Sequence, residues 1–300
     1  MKMKMKNLLK ATFAASVFLS GTAAANTMYL DLGANSYDAG RFVGAPDANT
    51  QTGTFTEFGF SQLLATSIYD LSDGSVAGSF YDTNIASELA YNNVPAAGTA
   101  MDGSTPVSLV APDCANGQCD IDALSPLVPP LGTDNEGFLQ TWDLQVEYHF
   151  DGTLGGSGPV YTGGTFDVYF NDFADINDRL VLTGTLTGSE LQAANLNLFF
   201  DITFAEDNFL WVMDDSGSFV DANDGTISGN YATMVLDTNV NPPIPTSDQL
   251  LLVVDDGGNP NAIRQTTLDG SVTANIPEPS SLALLGLGLL GFGVARRKKA

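Results

Sequence analysis

The commonest reactive group in this chain is the carboxylate. Asp and Glu number 35 against 11 Lys and Arg. They fall in pairs: Asp214 with Asp215, Asp255 with Asp256, Asp120 with Asp122, Asp175 with Asp178. Two carboxyl groups about 5 Å apart, one with a raised pKa and one without, are what a retaining glycoside hydrolase needs. So many acids make a pair at any chosen spacing uninformative, and no pair assigns catalysis by itself. The single histidine, His149, alternates with Glu147 along one side of a strand-like segment and reads as a solvated strand residue. A hydrolytic triad would need it within hydrogen-bond reach of a nucleophile on a sharp turn. The chain has no G-x-S-x-G, no H-E-x-x-H and no glycine-rich phosphate loop. The expectation is a protein that is not an enzyme, with no catalytic residue to name.

Oxygen-rich turns raise a different chemistry. Asp70 and Asp73 flank Leu71-Ser72, Asp221 and Asp224 flank Ala222-Asn223, and Asn171, Asp172, Asp175, Asn177 and Asp178 cluster further along. Calcium takes six to eight such oxygens. None of these runs has the glycine and twelfth-position glutamate of the helical calcium loop. Asp and Asn also favour turns for their own backbone hydrogen bonds. Calcium at Asp70 and Asp73, or at Asp221 and Asp224, is the one cofactor left open. The only cysteines, Cys114 and Cys119, bracket an Asn116-Gly117 turn that brings the thiols together. In an oxidising compartment they are expected to form a small structural disulfide.

Both ends of the chain are built for membranes. At the carboxyl end, Pro277-Glu278-Pro279 is a stiff, extended tag. Residues 282–295 are apolar, and Arg296, Arg297, Lys298 and Lys299 form a cytoplasmic stop. Such an apolar run is helical once in lipid, where water cannot satisfy its backbone. Its fourteen residues at about 1.5 Å each span roughly 21 Å, short of the roughly 30 Å hydrocarbon core, which suits a transient signal better than a permanent anchor. At the amino end, Lys2, Lys4, Lys6 and Lys10 precede an apolar stretch and an A-x-A site at Ala23 and Ala25. That is a secretory signal peptide.

The tripartite tail resembles the PEP-CTERM sorting signal in the order of its tag, its glycine-studded run (Gly286, Gly288, Gly291, Gly293) and its basic cluster. The resemblance implies processing by an exosortase, a membrane protease-transpeptidase of Gram-negative bacteria that make extracellular polysaccharide. It also implies an inner-membrane stage followed by the cell surface or matrix. The body is similar to flocculation-associated PEP-CTERM proteins in Phe55-Thr56-Glu57-Phe58-Gly59, in Thr133-Asp134-Asn135-Glu136-Gly137 before Trp142, and in Gly164-Thr165-Phe166-Asp167-Val168-Tyr169. That likeness implies a matrix or adhesion role, with extracellular polysaccharide as partner.

With the signal peptide (1–25) and the sorting segment (276–300) set aside, a body of residues 26–275 remains. It retains three cations, Arg41, Arg179 and Arg264, against 34 carboxylates and no lysine. Nucleic acid and anionic headgroups both require Lys and Arg, so neither is an expected partner. Over the whole chain apolar residues make up 44%, ample for a core.

The elements that must position these groups are strands. Residues 142–150 put Trp142, Leu144, Val146, Tyr148 and Phe150 on one face. Residues 166–171 and 196–204 repeat the pattern, and Leu180, Leu182 and Leu186 continue it. Gly, Asn and Asp turns separate them. The predicted fold is all-β: a single antiparallel β-sandwich-like domain. A proline-rich excursion over 92–134 is pinned by the disulfide, one helical turn falls at 186–195, and the C-terminal transmembrane helix follows. Three readings stay open for the body: a structural or adhesive matrix component, a carbohydrate-binding module using exposed Tyr81, Tyr91 or Tyr169, and a secreted hydrolase.

Overall fold

The segment that alternates most strictly in sequence is also the most regular in three dimensions. From Trp142 to Gly155, buried and more exposed positions alternate residue by residue, because successive side chains on a strand point to opposite faces. A computed structural model describes residues 26–35, 49–85, 88, 97–103, 106–108, 125–126, 136–174, 178–192, 195–214, 216–223, 233–239, 242–255 and 257–276. Its strands in chain order are β1 (Met28–Leu30), β2 (Phe58–Asp70), β3 (Gly78–Thr83), β4 (Ala97–Thr99), β5 (Pro106–Ser108), β6 (Ser125–Pro126), β7 (Trp142–Gly155) and β8 (Gly158–Asp172). They continue with β9 (Arg179–Gln192), β10 (Asn195–Ala205), β11 (Leu210–Met213), β12 (Phe219–Asp221), β13 (Thr233–Asn239), β14 (Leu251–Val254) and β15 (Pro260–Asn275). The chain is all-β and its strand pairings are antiparallel, as the alternation predicts.

The main sheet has ten strands, and eight of them return on themselves. β2 pairs with β3, then β7, β8, β9, β10, β13 and β15 follow in chain order, and β15 pairs back onto β2 from Asn261–Asp70 to Val272–Phe58. β6 and β14 flank this ring. Gln265 Nε2 donates to Thr66 Oγ1 across the seam at 3.2 Å. The halves of the ring meet over one core, where Phe150 of β7 and Phe200 of β10 bring their rings to 5.6 Å. Sandwich-like packing was expected. The closing pair was not, and it joins the two edges that the eight strands would present as an open sheet, leaving β6 and β14 as the outer strands. The outward face of β7 carries Asp143, Gln145, Glu147 and Asp151, the inverse of a membrane barrel with its apolar exterior.

A small second sheet, β1–β11–β12, covers one end of the ring. Met28, Leu30, Leu210 and Val212 are buried beneath it and join the main core. Phe209 meets Phe170 edge-on at 6.0 Å. Met28 bridges to Phe55, Phe55 packs on Phe58 at 4.8 Å, and Phe58 pairs with Val272. The cap therefore lies at the end where β15 finishes. The body starts and ends there: Thr27 O accepts from Met213 N at 2.8 Å, and Ile276 packs against the core just beyond β15.

Some sequence expectations give way. Residues 186–192 of the predicted helical turn are strand, because β9 is held along this stretch by pairing to β10. Tertiary pairing overrides a single turn's propensity. Leu180 is only partly buried, and Val181 points inward in its place, next to a register shift in the β8–β9 pair. The proline-rich excursion contributes the β4–β5 pair and β6. Its prolines there occupy the first residue of β5 and a two-residue edge strand, where a missing N–H is tolerated. Cys114, Cys119 and the apolar run 282–295 lie outside the described residues. Among those described, no helix is long and apolar enough to cross a membrane.

Candidate functional site

Two concavities lie toward the end of the ring away from the cap. The first is internal, a cavity of about 40 Å³ with walls that include Phe80, Phe150, Phe166 and Leu198. Strand alternation aims polar groups into it as well. Asp82 shares the inward face of β3 with Phe80, Ser67 lies between Ala65 and Tyr69 on β2, and Arg264 follows Ala262 on β15. Tyr161 donates to Asp82 Oδ2, and Arg264 Nη1 donates to the Pro242 carbonyl at 2.9 Å. Burial pushes the Asp82 carboxyl up to about 6, offset in part by hydrogen bonds from Ser67 and Tyr161 and by the Arg264 charge. Burial beside Asp82 likewise raises Tyr69, to about 12, and puts Tyr148 and Tyr161 well above the ordinary phenol range. Asp82 Oδ1 and Tyr148 Oη are buried with no hydrogen-bond partner.

The second is an outer groove of about 520 Å³ between the β2–β3 turn, β7 and the β14–β15 loop. Asp70, Tyr81, Asp151, Asp255, Asn259 and Asn261 line it. The Tyr81 ring stacks on His149 at 5.2 Å and 18°. His149 Nδ1 lies 2.7 Å from Glu88 Oε2 and Nε2 3.3 Å from Asp151 Oδ1. Burial pulls the imidazole pKa down, but those two carboxylates outweigh it and leave it raised. His149 is thus a bridged residue and not simply a solvated one. Hydrogen bonds from Asn259 lower the Asp255 carboxyl. The groove offers one aromatic face flanked by amide and carboxylate groups that donate and accept in many directions.

The remaining sequence candidates are placed as follows. Asp70 Oδ1 accepts from Ser72 N at 2.8 Å and Asp73 Oδ1 from Ser75 N at 2.9 Å, both ordinary turn bonds. Asp221 accepts from Asn223 N and Asn208 N on the cap, at the opposite end of the ring. Among the described residues no cluster of three or more His, Cys, Asp or Glu is placed to hold a metal ion. Asp224, Ala23, Ala25, Pro277, Glu278, Pro279, Arg296, Arg297, Lys298 and Lys299 fall outside the described residues. Sequence reasoning missed Asp82, Tyr148 and Arg264. The signal was a polar residue at an inward-facing step of an alternating strand, hidden by the abundance of acids.

Comparison with known proteins bears on the carboxyl end. The family model of the PEP-CTERM protein-sorting motif matches residues 275–299. A search of curated proteins and a search of solved structures each found no match. The motif begins on Asn275, the last residue of β15, so no spacer separates the ring from the tag. The chain carries a PEP-CTERM sorting signal, the mark of an exported protein that is held briefly in the membrane and then processed by an exosortase.

Proposed function

We propose that the processed protein is a non-enzymatic structural and adhesive component of extracellular polysaccharide, and that it holds the polymer in its outer groove. The observation that carries this reading is the position of that groove. It lies toward the end of the ring opposite the one where β15 finishes and the sorting motif begins. Tyr81 supplies an apolar platform, and Asp70, Asp151, Asn259 and Asn261 supply the polar groups that a hydroxyl-rich polymer needs. The resemblance to flocculation-associated proteins read from the sequence alone points the same way. Divalent cations such as calcium would add to it by bridging the acidic faces to polyanionic chains.

Affinity electrophoresis tests it. The secreted protein is run in native gels cast with and without the host's exopolysaccharide. Retardation by the polymer is expected, reduced at least threefold in Tyr81→Ala and, if cations bridge, reduced further by chelator. Equal mobility with and without polymer overturns the reading. Thermal melting with and without chelator separates structural calcium from bridging calcium, because an ion bound only by the native state raises apparent stability.

A further inference from the structure

The internal cavity is not used by that reading. Its chemistry is specific. Its walls are aromatic and aliphatic, yet two polar atoms of lining residues, Asp82 Oδ1 and Tyr148 Oη, have no partner. Both residues are buried, Tyr148 to 3% exposure. A buried polar group without a partner costs about 1–3 kcal/mol, so two in one cavity are a standing demand for a ligand.

The two vacancies define what satisfies them. Asp82 Oδ1 is an acceptor and requires a donor; Tyr148 Oη donates one proton and also accepts. A hydroxyl group answers both at once, donating to the carboxylate and accepting from the phenol. A carboxylate ligand would meet Asp82 as a like charge. A cation would meet Arg264, which is 4% exposed and already acts on Asp82 as its counter-charge. The charge balance leaves room for a neutral group only. The walls require the rest of the ligand to be apolar. A cavity of about 40 Å³ holds about three waters at 10–15 Å³ each, or a compact organic molecule of a few heavy atoms.

We propose that the ring interior is a binding site for a small neutral alcohol, its hydroxyl between Asp82 and Tyr148 and its carbon atoms against Phe80, Phe150 and Leu198. Pro243, the half-buried wall of the cavity, stands next to the Pro242 carbonyl that Arg264 holds and marks the route of entry.

The test uses 2-propanol and acetone, which have the same four heavy atoms and differ in the donor O–H. Secreted protein labelled at its Leu and Val methyl groups is titrated with each and followed by methyl NMR. Saturable shifts at Leu198 and Leu236 are expected with 2-propanol, at a dissociation constant at least about tenfold below that for acetone, the worth of one hydrogen bond. Tyr148→Phe removes an unpartnered hydroxyl, so it is expected to fold at least as well and, because the alcohol and the ketone both accept from the phenol, to bind each probe about tenfold more weakly while the gap between them persists. Equal affinity for the two probes, no saturable shift at the wall methyls, or unaltered 2-propanol binding in Tyr148→Phe overturns the assignment. The last two outcomes would leave the cavity to ordered water.

Discussion

Replacing Asp82 with Asn changes how stability depends on pH, and the sign follows from burial. In the fold the carboxyl titrates at about 6 against an ordinary 3.8, because its charged form is desolvated. Two units correspond to about 3 kcal/mol at 1.36 kcal/mol each. The folded state holds this proton more tightly than the unfolded chain. The group's favourable contribution is therefore present in full below the unfolded value and is lost as pH rises through about 6. Asn is neutral throughout and has no such dependence. Relative to Asp82→Asn, the natural protein should lose about 2 to 3 kcal/mol of stability between pH 4 and pH 7.5. Changes in packing shift the variant at both pH values alike and cancel in this double difference, while the attraction to Arg264, present only when Asp82 is charged, is already contained in its titration at about 6. Denaturant unfolding of the secreted protein provides the assay. Trp142 is its probe, 1% exposed and stacked on Phe170 at 5.3 Å. A gap between the two proteins that is the same at both pH values, within about 0.5 kcal/mol, refutes the reasoning.

Other perturbations have equally definite outcomes. Gly164→Ala should unfold the ring or weaken it severely in urea titration: at φ +130° the new methyl would overlap the His149 carbonyl on the facing strand. Phe200→Ala should cost about 3–5 kcal/mol in the same titration, since the ring is 1% exposed and packs on Phe150 and Phe166. The chain's one histidine gives an unambiguous NMR titration, and Glu88→Gln should lower its midpoint by removing the hydrogen bond and charge that raise it. The stability that His149 contributes is complete below its ordinary 6.5 and disappears as pH climbs through the raised folded value. Pro277→Ala or Glu278→Ala should block release of the mature body while export continues, read as a larger, membrane-retained band on immunoblots; normal release from both would contradict the role assigned to the tag.

Local pattern carried the strands well. Trp142 to Phe150 and Phe166 to Phe170 alternate in sequence and are buried on the steps expected. Where the pattern slips, a bulge is responsible: a register shift between Ile202 and Phe204 turns Phe204 outward and Ala205 inward. Closure was not legible, because the seam joins residues such as Thr66 and Gln265, 199 apart in the chain, and no local periodicity encodes such a pairing. The cap escaped for the same reason: β1 is three residues long and is defined by its partner β11. The sorting signal was the opposite case. Its chemistry is contiguous, and its recognition requires no fold.

The strand that shuts the ring is also the last in chain order among the described residues. β15 pairs with β2, β13 and β14, and its final residue opens the sorting motif. A prematurely terminated product lacks its keystone and its destination together. Closure of the ring and possession of the address thus depend on the same stretch of chain.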